Sequence, residues 1–122
     1  MRFLSMIRIN ETSGQRPSEQ LMADMGKLMA EMTAAGSLLD TAGLRPTAEG
    51  VRVRLSQGRQ TTTDGPFAET KEVIGGWAIL EAESKSDALR IAREFMELHR
   101  THWPSFEGEA EVRPMFAPGM GP

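Results

Sequence analysis

Hydrophobic positions along this chain follow two periods, and the switches between them outline a fold. Residues 2–9, "RFLSMIRI", alternate with period two. Phe3, Ser5, Ile7 and Ile9 share one face of the implied strand, while Arg2, Leu4, Met6 and Arg8 share the other. The second face is not cleanly polar, because Leu4 and Met6 occupy its centre. "NETSGQRP" is a loop by composition. Ser18 is then placed to cap a helix, with Glu19 suited to its positive end. Leu21, Met22, Met25, Leu28, Met29 and Met32 recur at steps of three and four, the stripe of an amphipathic helix, and Gly36 is its terminating glycine.

Period two returns in "SLLDTAGL", a short strand and turn, and in "VRVRL" at 51–55. Gly58 turns the chain back into "QTTT", so this stretch predicts a β-hairpin with β-branched threonines on the returning strand. Asp64-Gly65-Pro66 ends it, since proline cannot donate to a ladder and Asp-Gly suits a tight turn. "AETKE" is polar and expected to be exposed. "VIGGWAILEA" reads as a strand apolar at both parities, with Val73, Trp77 and Ile79 one way and Ile74, Ala78 and Leu80 the other, as in a strand covered on both faces. Gly75-Gly76 lies inside that strand, which predicts a bulge or a close backbone approach rather than a phosphate loop. "SKSD" is a capping-box pattern opening a helix that buries Ala88, Ile91, Ala92 and Phe95. After the Trp103-Pro104 break, "EAEVRPM" closes as a last strand.

This order is β-α-β, a hairpin, then β-α-β. It predicts an α+β fold, a ferredoxin-like βαββαβ protomer with an added hairpin. Residues 1–117 make one domain and 118–122 a flexible tail. Two helices cover one face of such a sheet, yet apolar groups stand on both. The pattern therefore predicts a homodimer joined through the face the helices leave open.

Bulk properties narrow the function classes. A chain of 122 residues with a formal charge of -3 lacks the basic surface that tracking of phosphates requires, so no nucleic-acid partner is expected. The absence of cysteine excludes disulfides, thiolate nucleophiles and zinc-thiolate sites. The longest apolar run, "VIGGWAIL", is too short to span a bilayer as a helix, and "MRFLSMIRIN" lacks a signal-peptide pattern. The expectation is a cytoplasmic protein with no membrane partner and no cofactor.

Candidate site residues each carry two readings. Asp64, at a strand end, suits a catalytic base or hydrogen-bond acceptor, or else a turn residue bonding its own backbone. Arg52 and Arg54 share one parity of the hairpin and suit an anionic ligand or a solvated face. Arg8, a charge among apolar neighbours, needs a partner such as Asp40 or Glu81, as a structural ion pair or a ligand anchor. Trp77 is a core or interface aromatic, or the wall of a pocket. His99 and His102 form an H-x-x-H pair without an evident third ligand, so no metal site is expected and capping or surface roles fit them. The methionine stripe is packing.

"TDGPFAETKEVIGGWAILEA" (63–82) resembles the signature of the DGPF family within the YCII-related group. "EMTAAGSLLDTAGLRPT" (31–47) and "EVRP" (111–114) match the family's other two blocks in order. The resemblance implies a dimeric α/β-barrel of ferredoxin-like protomers. Many such proteins have no assigned reaction, and many are encoded beside extracytoplasmic-function sigma factors. Some relatives are cofactor-free lyases using a His-Asp pair with the histidine in the first helix. The corresponding position here is Met25, and no histidine precedes residue 99. Three readings follow: a protein binding a small anionic metabolite or partner in a cleft near the DGPF motif, a lyase or isomerase with Asp64 as base, or a regulatory protein of a sigma-factor system.

Overall fold

A computed structural model of the chain describes residues 1–14, 16–67 and 71–121. Among them lie six strands and two α-helices: β1 (Arg2–Ile9), α1 (Glu19–Ala34), β2 (Leu38–Gly43), β3 (Val51–Ser56), β4 (Arg59–Asp64), β5 (Val73–Glu81), α2 (Lys85–His102) and β6 (Gly108–Pro114). Four strands form an antiparallel sheet in the order β2-β5-β1-β6, and β3 and β4 pair separately. With the hairpin set aside, this is the α+β, ferredoxin-like arrangement the periodicity predicts. Ala68, Glu69 and Thr70 of the "AETKE" stretch lie outside the described residues.

Local chemistry explains both helices. Ser18 Oγ accepts from the Leu21 amide at 3.1 Å, and Ser84 Oγ accepts from the Asp87 amide at 3.2 Å. Each satisfies a first-turn donor that has no intrahelical partner. The end of α1 is a paired closure: Gly36, at φ 80°, donates to the Thr33 carbonyl, and Ser37 donates to that of Met32. A side chain at residue 36 would be strained in that conformation, which is why glycine stands there. Helix α2 stops at Trp103, since the following Pro104 disfavours helical backbone before it.

The core sits between the helices and one face of the sheet. Phe3, Leu38, Leu80, Ala88 and Ile91 form its buried cluster, with Met29, Met32, Ala78, Ala82 and Val112 packed against it. Phe3 is opposite Leu80 across β1 and β5, so the face of odd-numbered β1 residues looks toward the helices. Leu4 and Met6 therefore stand on the open face, opposite Ile79 and Trp77.

One assignment along β5 is corrected. The register slips between Ile7 and Arg8, so Val73 faces Ile9 and Ile74 faces Arg8. Val73 thus falls on the helix side and Ile74 on the open side, the reverse of simple alternation. The cause is the extra residue at Gly75-Gly76, which forms the bulge that the sequence allowed. A Cβ on Gly75 would stand 2.5 Å from Ile9 Cδ1 and 3.7 Å from Ile7 Cγ2, so this glycine presses against the helix-side residues of β1.

The hairpin is set apart. Gln57 and Gly58 take positive φ, the two-residue turn that matches strand twist. Every residue of β3 and β4 is exposed, including Val51, Val53 and Leu55. At its foot the Gly65 amide donates to the Gly50 carbonyl at 2.9 Å. A Cβ on Gly65 would come within 1.6 Å of the Thr47 carbonyl oxygen, so only glycine fits between Asp64 and Pro66. Residues 118–120 form a turn in which the Met120 amide donates to the Ala117 carbonyl.

A cleft between the helices and the sheet

Next to the packed cluster, with Leu38, Leu80 and Ile91 shared between the two, the space between α1, α2 and the sheet opens into a cleft of about 990 Å³. Its floor is made by Ile7, Ile9, Gly75, Gly76 and Ala78, and one wall by Met22, Met25, Leu28, Met29 and Met32 of α1. Gly76, opposite Ile7, adds no side chain to this floor, while the space beside Gly75 is taken by the Ile9 side chain. Methionine suits the wall, since an unbranched thioether adapts to varied apolar shapes. Such size and lining match ligand pockets, which are concave and apolar with few polar groups.

The far wall is aromatic. Phe95 and Phe106 flank the imidazole of His99, with ring centroids 4.7 and 4.6 Å away, and Trp103 packs against Phe106 at 5.1 Å. His99 lines the cleft and is 7% exposed, the one buried polar or charged side chain among the described residues. Its Nδ1 donates to the Phe95 carbonyl one turn back, at 3.0 Å. A carbonyl only accepts, so Nδ1 carries a proton, and in the neutral ring Nε2 carries the lone pair. Among the described residues Nε2 has no hydrogen-bond partner. No described side-chain nitrogen or oxygen is both sealed from solvent and unbonded, so Nε2 keeps an opening, and the space His99 lines is the cleft.

His99 is therefore a correction to the capping or surface role expected for it. The signal was present, because residues 88, 91, 92, 95 and 99 continue one helical stripe. His102 points elsewhere: its Nε2 meets Asp24 Oδ2 at 2.7 Å and ties α2 to α1. No group of three potential metal ligands occurs among the described residues.

The other candidates are dispersed. Arg8 lies on the open face and donates through Nε and Nη2 to Glu111 Oε1, at 3.3 and 3.1 Å. Its partner is thus Glu111 rather than Asp40 or Glu81. Glu81 meets the N-terminal ammonium, and the Asp40 carboxylate accepts from the Thr41 amide. Cross-strand reach decides this, since Glu111 stands opposite Met6, one diagonal step from Arg8. Trp77 is half-buried; its carbonyl accepts from Thr41 Oγ1 at 2.8 Å, and the residue contributes to the cleft lining where β2 meets β5. Arg52 and Arg54 are exposed on the hairpin, opposite Thr63 and Thr61, and the Arg52 guanidinium lies 3.7 Å from the Phe67 ring centroid. Asp64 is exposed at the end of β4, opposite Val51, and does not line the cleft.

The Asp-Gly-Pro-Phe segment reaches the cleft only indirectly. Gly65 packs on Thr47, beside Pro46 of the cleft rim. Glu11, also on the rim, accepts from the Thr47 amide at 2.9 Å and from the Thr47 hydroxyl. Those hydrogen bonds hold the Glu11 carboxyl below the usual glutamate range.

A sheet of this order with two helices on one face and a cleft beneath them defines the class, and sequence comparison agrees. The model of the YCII-related domain matches residues 1–98, and the chain belongs to that family. It is 36% identical over 106 residues to an uncharacterized protein of Rhizobium meliloti (strain 1021), covering 85% of this chain and 82% of the relative.

Proposed function

We propose that this YCII-related chain binds a small, largely apolar molecule in the cleft between α1, α2 and the sheet. The observation that carries the reading is an apolar space of about 990 Å³ that contains a single buried polar side chain, His99. Arg16 and Arg45 stand at the mouth among the lining residues, which suits an acidic group on the same molecule. Protein carrying ¹³C-labelled methionine methyl groups tests the proposal with 2-naphthol as probe. Met25, Met29 and Met32 should shift while Met1, Met115 and Met120 stay in place. Shifts confined to the latter set, or none, would refute it.

The functional unit in this proposal is a homodimer, the dimeric α/β-barrel implied by the DGPF resemblance. Leu4, Met6, Trp77 and Ile79 on the open face favour a second copy of the chain as cover. Charge supports the same partner: Arg52, Arg54 and Arg59 stand on the hairpin, and Glu107 and Glu109 lie along β6 and its approach. Sedimentation at micromolar concentration should give a dimer; a stable monomer would remove this part of the reading. A base role for Asp64 would need that second copy to bring the hairpin foot against the ligand. A connection with a sigma factor rests on resemblance, and no geometry favours it.

A further inference from the structure

We infer that His99 sets the specificity of the cleft, and that the molecule it selects carries an O–H or N–H donor on an otherwise apolar frame, such as a phenol, an enol or an indole-like ring. This rests on the cleft being a binding site. The imidazole is held on three sides: Nδ1 is bonded to the Phe95 carbonyl, and the rings of Phe95 and Phe106 pack on it. Such packing fixes the tautomer and the tilt of the ring, and it leaves one polar atom, Nε2, with a lone pair and no described partner. In the free chain Nε2 is open to the cleft and to water; an apolar ligand that displaces that water leaves the acceptor unpaired, whereas a ligand carrying a donor replaces the bond. Other polar groups on the lining, such as Asn10, Arg16, Arg45 and Glu107, are exposed at the rim and hold water as readily as ligand.

His99 acts here by direct contact with the ligand, and no proton transfer is required. The surrounding residues favour an aromatic frame: Phe95 and Phe106 line the cleft beside His99, and Gly76 adds no side chain to its floor. An aromatic or otherwise planar frame fits that slot better than a branched aliphatic one.

The test pairs 2-naphthol with 2-methylnaphthalene, which have nearly the same shape and differ in the donor. Binding is measured on the wild-type chain and on His99→Phe, a change that keeps an aromatic ring between Phe95 and Phe106 and removes the acceptor. Wild type should prefer 2-naphthol by about tenfold, the size of one net hydrogen bond, and His99→Phe should bring the two affinities together. The ¹⁵N resonance of His99 Nε2 in the wild-type chain gives a reading that no substitution can confuse. It should move in the direction of a hydrogen-bonded acceptor with 2-naphthol and stay in place with the hydrocarbon. Equal binding of both probes by the wild type, or an Nε2 resonance unmoved by bound 2-naphthol, would overturn the role of His99 and leave the cleft as a site. Failure of both probes to bind would overturn the cleft reading and this inference together.

Discussion

The two ends of the helix-covered sheet face are built from the same strands and have opposite characters. At one end Phe3 on β1 and Leu80 on β5 meet Ala88 and Ile91 of α2, and all four are buried. At the other end β1 presents Ile7 and Ile9, which are only half-buried, and β5 presents Gly75 and Gly76. The first end has a side chain for every position and the second does not. Large residues in fixed rotamers make a core that resists change, whereas missing side chains and flexible methionines leave room for another molecule. Stability and binding are thereby assigned to different ends of one sheet.

Substitutions at the packed end should have the largest effect. Phe3→Ala should cost about 3–5 kcal/mol in chemical denaturation, since it removes a ring that is 1% exposed and leaves a cavity. A loss under about 1 kcal/mol would mean that the packed end is not the seat of stability. At the cleft end the balance should reverse. Met25→Leu keeps volume and should cost less than about 1.5 kcal/mol, yet it stiffens the wall and should alter 2-naphthol affinity. Similar costs for Phe3→Ala and Met25→Leu would remove the distinction between the ends.

The rim gives a pH-dependent prediction. Because Thr47 bonds the Glu11 carboxylate, its folded pKa lies below the unfolded one. The contribution of this contact is therefore fully present above the unfolded glutamate value and is lost as pH falls through the lower, folded one. The Thr47 amide resonance should titrate with a midpoint below the ordinary glutamate pKa, and a midpoint at or above it would contradict the clamp. The smallest effect should come from the hairpin foot. Asp64 is exposed and has no side-chain hydrogen bond among the described residues. Asp64→Asn should change stability by less than about 0.5 kcal/mol and leave 2-naphthol binding as it was. Loss of binding in that variant would place Asp64 in the site.

Much of this architecture was legible in the residues. The strand at 2–9, both capped helices, the Gly36 closure and the hairpin follow from periodicity and terminal chemistry, which are local properties of sequence. The site was harder to read, because it depends on what the bulge does to distant neighbours. Gly75-Gly76 announced an irregularity, but its consequence, a low floor opposite α1, depends on register with β1. Asp64 drew attention because it sits in a distinctive motif. The motif's geometry instead explains Gly65, which has no space for a side chain against Thr47. His99 was overlooked for the opposite reason: read with His102 as a pair near the helix end it was given a capping or surface role, while its place on the Ala88-Ile91-Ala92-Phe95 stripe marks it as buried.

The most direct test of the central claim is a crystal structure of the chain with 2-naphthol bound. The predicted result is ring density between the α1 methionines and the Gly75-Gly76 floor, with the hydroxyl oxygen at hydrogen-bonding distance from His99 Nε2. Density on the open sheet face or along the hairpin, with the cleft closed by α1 settling onto the sheet, would contradict it.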